Sequence, residues 1–558
     1  MMFSARQHSA ICRLQHRALP GLISSFVLGV GLVGAPASAR ELYGSNLGSV
    51  DFPVSCAAEA QLPMQRGLAL LHHMTYRGAH AAFQRATEID PSCALGYWGQ
   101  AMTVVHPLWS DAPEQEAFNQ GFALLKKAAA SQSITPREKA YIDAHRRYFA
   151  AGRQGDESTN LQAWQSGWEQ AHQEFPRDPE IQSFLALAVL ANADPEDKTY
   201  ATQKQSAAIA LPVLGVIPDH PGAHHYLIHA YDNPALVRRS LTVARSYGEI
   251  APSVPHALHM PSHLFIRAGL WDEAIAMNRR SADAALLHPA GEMVSLHYPH
   301  ALDYLVYARL QRGEIPQAQL AALEIEALDD SIQPHIASAY ALAAIPARLT
   351  LERADWRGAA TLQPVGSAEF PWHRFPAMQA ITHFARAVGA ARSGELPEAQ
   401  KQLDVLTQLR RDVEPISAYW GKQVLIQETA ARAWMTYGTA AQHASATETA
   451  LALLREAVAL EASTEKHPVT PGEVLPAAEQ YGDMLMDLGR HGEAYQAYRQ
   501  VLKRSPGRHL SLFGAGLASE RQGQTTRAAR YYQELLSRSS PGGSTPGLIH
   551  AREFLGRS

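Results

Sequence analysis

Three cysteines in 558 residues, few charges and no long apolar run exclude several classes of protein at once. A Cys-x-x-Cys redox pair, a zinc-ribbon cysteine set and a Cys-x-x-Cys-His haem attachment site are all missing. Charged residues make up 18% of the chain, formal net charge is −4, and no block of like charge occurs. Nothing in this pattern offers the basic footprint that nucleic acid requires. Beyond the first 39 residues no segment is long and apolar enough to span a bilayer. No His-Glu-x-x-His, phosphate-binding glycine loop, dinucleotide glycine motif or Gly-x-Ser-x-Gly elbow is found. Hydrophobic content of 46% still marks a folded chain, one too long for a single ordinary domain.

The first 39 residues read as a cleavable export signal. Arg6, Arg13 and Arg17 give a positive start, Leu22 to Val33 is a short apolar stretch, and Ala37-Ser38-Ala39 offers small residues for cleavage. Removal leaves 46 bases against 53 acids, and the expected location is the periplasm or the exterior. Cys12 departs with the signal. Cys56 and Cys93 remain, an even count expected to form a disulfide in an oxidising compartment.

What is present is periodicity. Apolar residues recur at three- and four-residue spacing, as in 185–190 and 450–460, and no alternating strand pattern interrupts them. Gly67, Ala79, Phe83, Ala86 and Pro91 mark one unit. The same intervals return as Gly482, Gly489, Ala494, Tyr498 and Pro506, and as Gly516, Gly523, Ala528 and Tyr532. Pro218 and Pro252 lie 34 residues apart, and Gly269, Gly313 and Gly394 each precede an alanine by five. Small residues let antiparallel helices approach, an aromatic fills the space between them, and proline stops the second helix.

Histidine and aspartate follow the same register. His225 and His259 are 34 residues apart, as are His229 and His263. His225, His229 and Asp232 are spaced to share one helical face. So are His256, His259 and His263, and so are His300, Asp303 and Tyr307. The three sets should face one another across neighbouring repeats. Neutral imidazole and carboxylate are common ligands of zinc, iron and copper, so a transition-metal site, with one ion or two, is expected from these eight side chains. Arg267 lies on the same face, placed to hold an anion or to pair with Asp303, and Tyr226 and Tyr307 are candidate proton donors. Isolated histidines such as His220, His373 and His383 read as packing residues.

Residues 55–102 (SCAAEAQLPMQRGLALLHHMTYRGAHAAFQRATEIDPSCALGYWGQAM), HHYLIHAYDNP, PHALHMPSHLFIRAGLWDEA, HALDYLVYA, HPVTPGEVLPAAE and FGAG resemble the large secreted bacterial tetratricopeptide repeat (TPR) proteins of about this length. The resemblance spans nearly the whole mature chain. It implies an all-α, TPR-type right-handed solenoid whose first helices line a concave groove, with the histidine face pointing into it. The expected organisation is a signal at 1–39, an extended lead segment at 40–56, and N-terminal repeats over 57–165. Central repeats with the cluster follow over 166–350, and C-terminal repeats over 351–558. Irregular insertions are expected near 151–165, 284–296, 354–376 and 464–476. Three functions fit: an exported scaffold with a metal site in its groove, a metal-dependent hydrolase or oxidoreductase, or a metal-free module that binds a protein, peptide or small ligand.

Overall fold

A computed structural model describes residues 43–109, 112–150, 152, 157–328, 331–363, 370–440 and 445–557. The segment expected to be an export signal (1–39) and residues 40–42 of the expected lead segment lie outside the described residues. Every regular element among those described is a helix, accompanied by two isolated β-bridges. Among the described residues no helix is long and apolar enough to cross a membrane.

The helices pair as antiparallel hairpins that stack side by side. The first hairpin is Gln61–His72 with Tyr76–Ile89, and the central ones are Pro221–Tyr231 with Leu241–Ile250 and His297–Gln311 with Ile315–Glu326. Near the C-terminus Ala477–Asp487 pairs with His491–Arg504, and His509–Arg521 with Thr525–Arg538. The landmark residues do the work their spacing suggests. A Cβ placed on Gly67 or Gly99 would lie 2.8 or 2.4 Å from the Phe83 ring. Gly482 and Gly514 clasp Tyr498 in the same manner. Gly269 and Gly313 occupy left-handed backbone (φ 69° and 70°) at the turn between paired helices, a conformation that costs other residues a steric clash.

The array coils tightly enough for distant repeats to touch. Helix Gln61–His72 packs on Pro221–Tyr231, and His297–Gln311 contacts His509–Arg521. Ser540 N–H donates to the Arg312 carbonyl at 2.9 Å, and His509 N–H to Gln311 Oε1 at 3.0 Å. The lead segment runs without regular structure across the early repeats. Its Phe52 is buried against Trp98 and Tyr141, and Cys56 is disulfide-bonded to Cys93.

The insertion expected near 151–165 is shorter than its composition suggests, because Glu157–Glu174 is already helical. Residues 464–476 are irregular as expected, yet they do not loop out. They lie against the first helices of the central repeats. Buried Arg348 holds them, donating to the carbonyls of Gly472 (2.7 Å) and Glu473 (2.9 Å). Tyr304 O–H donates to the carbonyls of Pro468 and Thr470 at 2.8 and 3.0 Å.

Candidate metal centre

Four helical segments carry the histidines. Pro221 opens the first at Pro221–Tyr231, where proline at the first position costs no hydrogen bond. Pro255 opens Pro255–His259 in the same way. Pro261 then interrupts the backbone ladder at Met260, and the chain continues as Pro261–Ala268. His300 lies on His297–Gln311. The face these segments share is interior rather than an open groove. His225, His256, His259, His263 and His300 are all buried, and His229 is half-buried. The reason is the return of residues 464–476 and of the first repeat onto this face.

The six imidazoles fall into two triads: His225, His229 and His256, and His259, His263 and His300. Within each, one nitrogen per ring lies within 4.8 Å of the others. The triads adjoin, with His229 and His263 ring centres 5.7 Å apart and those of His256 and His259 6.4 Å apart. In tetrahedral coordination with bonds of about 2.0–2.1 Å, ligand nitrogens stand about 3.4 Å apart, so each triad is of metal-binding size.

Hydrogen bonds fix which nitrogens are free. His259 Nδ1–H donates to Asn278 Oδ1 at 2.7 Å, and Asn278 is oriented by its own donation to the Ala274 carbonyl. His263 Nδ1–H donates to Asp232 Oδ2 at 2.9 Å. Both rings thus present Nε2 lone pairs, and these face each other at 3.1 Å. Two lone pairs at that distance repel unless a cation lies between or beside them. In the other triad His225 Nδ1–H donates to the His72 carbonyl at 2.7 Å, and its Nε2 is 3.1 Å from His256 Nε2. That contact is an ordinary hydrogen bond when His256 carries its proton on Nε2. His229 Nε2 has no hydrogen-bond partner among the described residues.

Electrostatics keep the cluster neutral. Burial pushes the His225 imidazole down to about 3. Burial, reinforced by the neighbouring imidazoles, also holds His229, His256, His259 and His300 well below the ordinary histidine range. Burial lowers His263 as well, against the pull of Asp232. A neutral imidazole keeps the lone pair that a metal requires.

Asp232 stands behind the cluster. It caps the end of Pro221–Tyr231 and gathers His263, Arg267 Nε (2.9 Å) and Lys466 Nζ (2.9 Å). Although burial disfavours its charge, Lys466 and Arg267 hold its carboxyl well below the usual range. Its place is that of a carboxylate orienting a ligand histidine. Arg267 pairs with Asp232 and Glu465, not with Asp303. Asp303 is in neither triad; Arg348 Nε donates to its Oδ1 at 3.1 Å, and its Oδ2 has no hydrogen-bond partner among the described residues. Burial raises the Asp303 carboxyl to about 6 against the attraction of that guanidinium. Tyr307 is buried under the Arg348 guanidinium, and Tyr226 O–H bonds His72. Neither belongs to either triad.

Spacing gave no sign of several neighbours. The Trp109 ring lies 5.8 Å from His256 and 6.1 Å from His300, and His297 lies 5.4 Å from His256. A third group, His72, Glu180 and His220, draws on segments far apart in sequence, so no local motif could reveal it. Its hydrogen bonds are complete without an ion. Glu180 Oε2 accepts from both Nε2 atoms at 2.8 and 3.1 Å, Oε1 accepts from Asp51 N–H, and His220 Nδ1 accepts from Ala223 N–H. His220, read as a packing residue, is bound into this network.

A cavity of about 340 Å³ reaches the edge of the cluster at His229 and Asp232. None of His259, His263 and His300 lines it.

Residues 475–508 match the family description "Tetratricopeptide repeat". They include the Ala477–Asp487 and His491–Arg504 hairpin. Among solved structures, yeast Tom70 is similar with a TM-score of 0.33 and 10% identity, covering 89% of this chain and 96% of that one. The TPR domain of P58(IPK) is similar with a TM-score of 0.20 and 11% identity, over 84% of this chain and 100% of that one. No curated protein sequence matches. The chain is an all-helical hairpin array that carries a tetratricopeptide repeat.

Proposed function

We propose that this protein is an exported helical-repeat scaffold that binds transition-metal ions between its central repeats. One observation carries the metal reading: the facing Nε2 lone pairs of His259 and His263, each ring already bonded through its other nitrogen. Purely imidazole sets suit zinc and copper, and also iron or nickel. His225, His229 and His256 would hold one ion and His259, His263 and His300 another, while Asp232 and Asn278 orient the rings. The repeat array supports a role as a scaffold for protein partners, since stacked hairpins present extended surfaces. Export is supported by the leader composition, and the Cys56–Cys93 bridge fits an oxidising compartment.

The test is elemental analysis of the exported protein, purified without chelator or histidine tag, beside the His259→Ala/His263→Ala double variant. Zinc, copper or iron at one to two ions per chain, reduced in the folded variant, is the expected result. Metal-free protein that stays metal-free after incubation with each ion overturns the reading.

A further inference from the structure

The two triads differ in access. His259, His263 and His300 are buried and line no part of the 340 Å³ cavity, whereas His229 is half-buried, has an Nε2 without a hydrogen-bond partner among the described residues, and forms part of that cavity's wall. An ion on the His225 triad would therefore be held in part by a residue of that cavity's wall.

The cavity's walls say what it would admit. Tyr419, Trp420 and His467 form one aromatic cluster, with ring centres 5.1 to 5.8 Å apart. Leu108, Leu190 and Pro195 supply apolar surface elsewhere. Several of its charged and hydroxyl groups are already engaged within the protein. Tyr200 O–H donates to Glu465 Oε1 at 2.8 Å, and Tyr419 O–H to the Glu465 carbonyl at 2.9 Å. Lys466 is spent on Asp232 at 2.9 Å. A ligand thus meets ring faces and aliphatic carbon along the walls. Among its lining residues, His229 Nε2 and Gln203 Oε1 are enclosed atoms with no hydrogen-bond partner among the described residues: an ion held by His229 would want an oxygen donor, and Gln203 Oε1 a donated proton. An aromatic hydroxyl answers both, since its oxygen binds metal and its O–H donates.

We infer that this cavity is the binding chamber for a small hydroxylated aromatic compound, seated against the Trp420 cluster with an oxygen on the His225–His229–His256 ion. The inference rests on the metal reading above. It places ligand chemistry at one triad and leaves the other enclosed.

The experiment uses the full chain with its metal content measured, titrated with 4-nitrocatechol, whose visible absorption shifts when its oxygens bind a metal. Saturable binding with a spectral shift is expected. Leu190→Trp, which fills the chamber, and Gln203→Leu, which removes the acceptor, are each expected to weaken binding by about tenfold or more at unchanged metal content. Two variants guard against misfolding in either one, and circular dichroism and metal content qualify each. Metal-loaded protein that gives no shift, or binding unaffected in both folded variants, overturns the chamber while leaving the metal site standing. Protein without metal overturns both readings, and metal analysis distinguishes the two failures.

Discussion

His259 and His263 turn their Nε2 atoms toward each other at 3.1 Å while Asn278 and Asp232 hold the opposite edges of the two rings. Packing alone gives no reason to aim two lone pairs at one point. These are the ring orientations that the proposed cation would use.

Asp232 orients His263 and neutralises Arg267 and Lys466. Asp232→Asn should weaken metal binding by about 10–100-fold, the usual cost of losing a partner behind a ligand histidine. It should also destabilise the fold by about 3–5 kcal/mol, because two buried cations lose their counter-charge. Chelator competition reads the first effect and thermal melting the second. Unchanged affinity in folded protein would remove Asp232 from the site.

Asp303 provides the contrast. Its carboxylate belongs to Arg348, which pins residues 470–473. Asp303→Asn should lower stability by about 3–5 kcal/mol, since a buried guanidinium is left unpaired, and leave metal content unchanged. Loss of metal from a folded variant would return Asp303 to the ligand set.

Metal-free protein should lose stability as pH falls. Burial holds His73 and His297 down to about 3 and His145 to about 4, whereas the unfolded chain protonates each near 6.5. The folded state therefore binds fewer protons below 6.5. Stability from these groups is fully present above that pH and declines toward pH 4, by about 1 kcal/mol per pH unit for each histidine. Asp303 and Asp483, raised to about 6, and Glu461, raised to about 8, act in the opposite sense. The buried histidines outnumber them. Melting in chelator from pH 7.5 to 5 should show a falling midpoint, which added metal opposes. A flat profile would contradict the neutral-cluster picture.

The Cys56–Cys93 bridge closes a separation of 37 residues between the lead segment and the start of the third helix. Constraint of the unfolded chain by a loop of this size stabilises by about 4 kcal/mol. Melting with and without reductant, checked by thiol alkylation and mass measurement, should show that loss. Equal stability would mean the lead segment is held by Phe52 and its hydrogen bonds alone.

Gly99 abuts the Phe83 ring, where a Cβ would sit 2.4 Å from ring carbons. Gly99→Ala should destabilise by about 1–3 kcal/mol through overpacking, read in a denaturant titration. A neutral result would show that the ring has room to move.

Much of this architecture was legible in the chain itself. Helical period, turn glycines and proline stops are local properties, so hairpins such as the one matched at 475–508 follow from residues within one repeat. The 34-residue register also predicted that His225, His229, His256, His259, His263 and His300 would meet, because equivalent positions on stacked helices are neighbours. Tertiary structure decided what register leaves open. Superhelical coiling brings residues 464–476 and the first repeat onto the central face, turning an expected groove into an interior. That same closure gives Asp303 to Arg348, Arg267 to Asp232, and Glu180 to His72 and His220. These partners are separated by tens to hundreds of residues. Their meeting depends on small rotations accumulated from repeat to repeat, which no local spacing encodes.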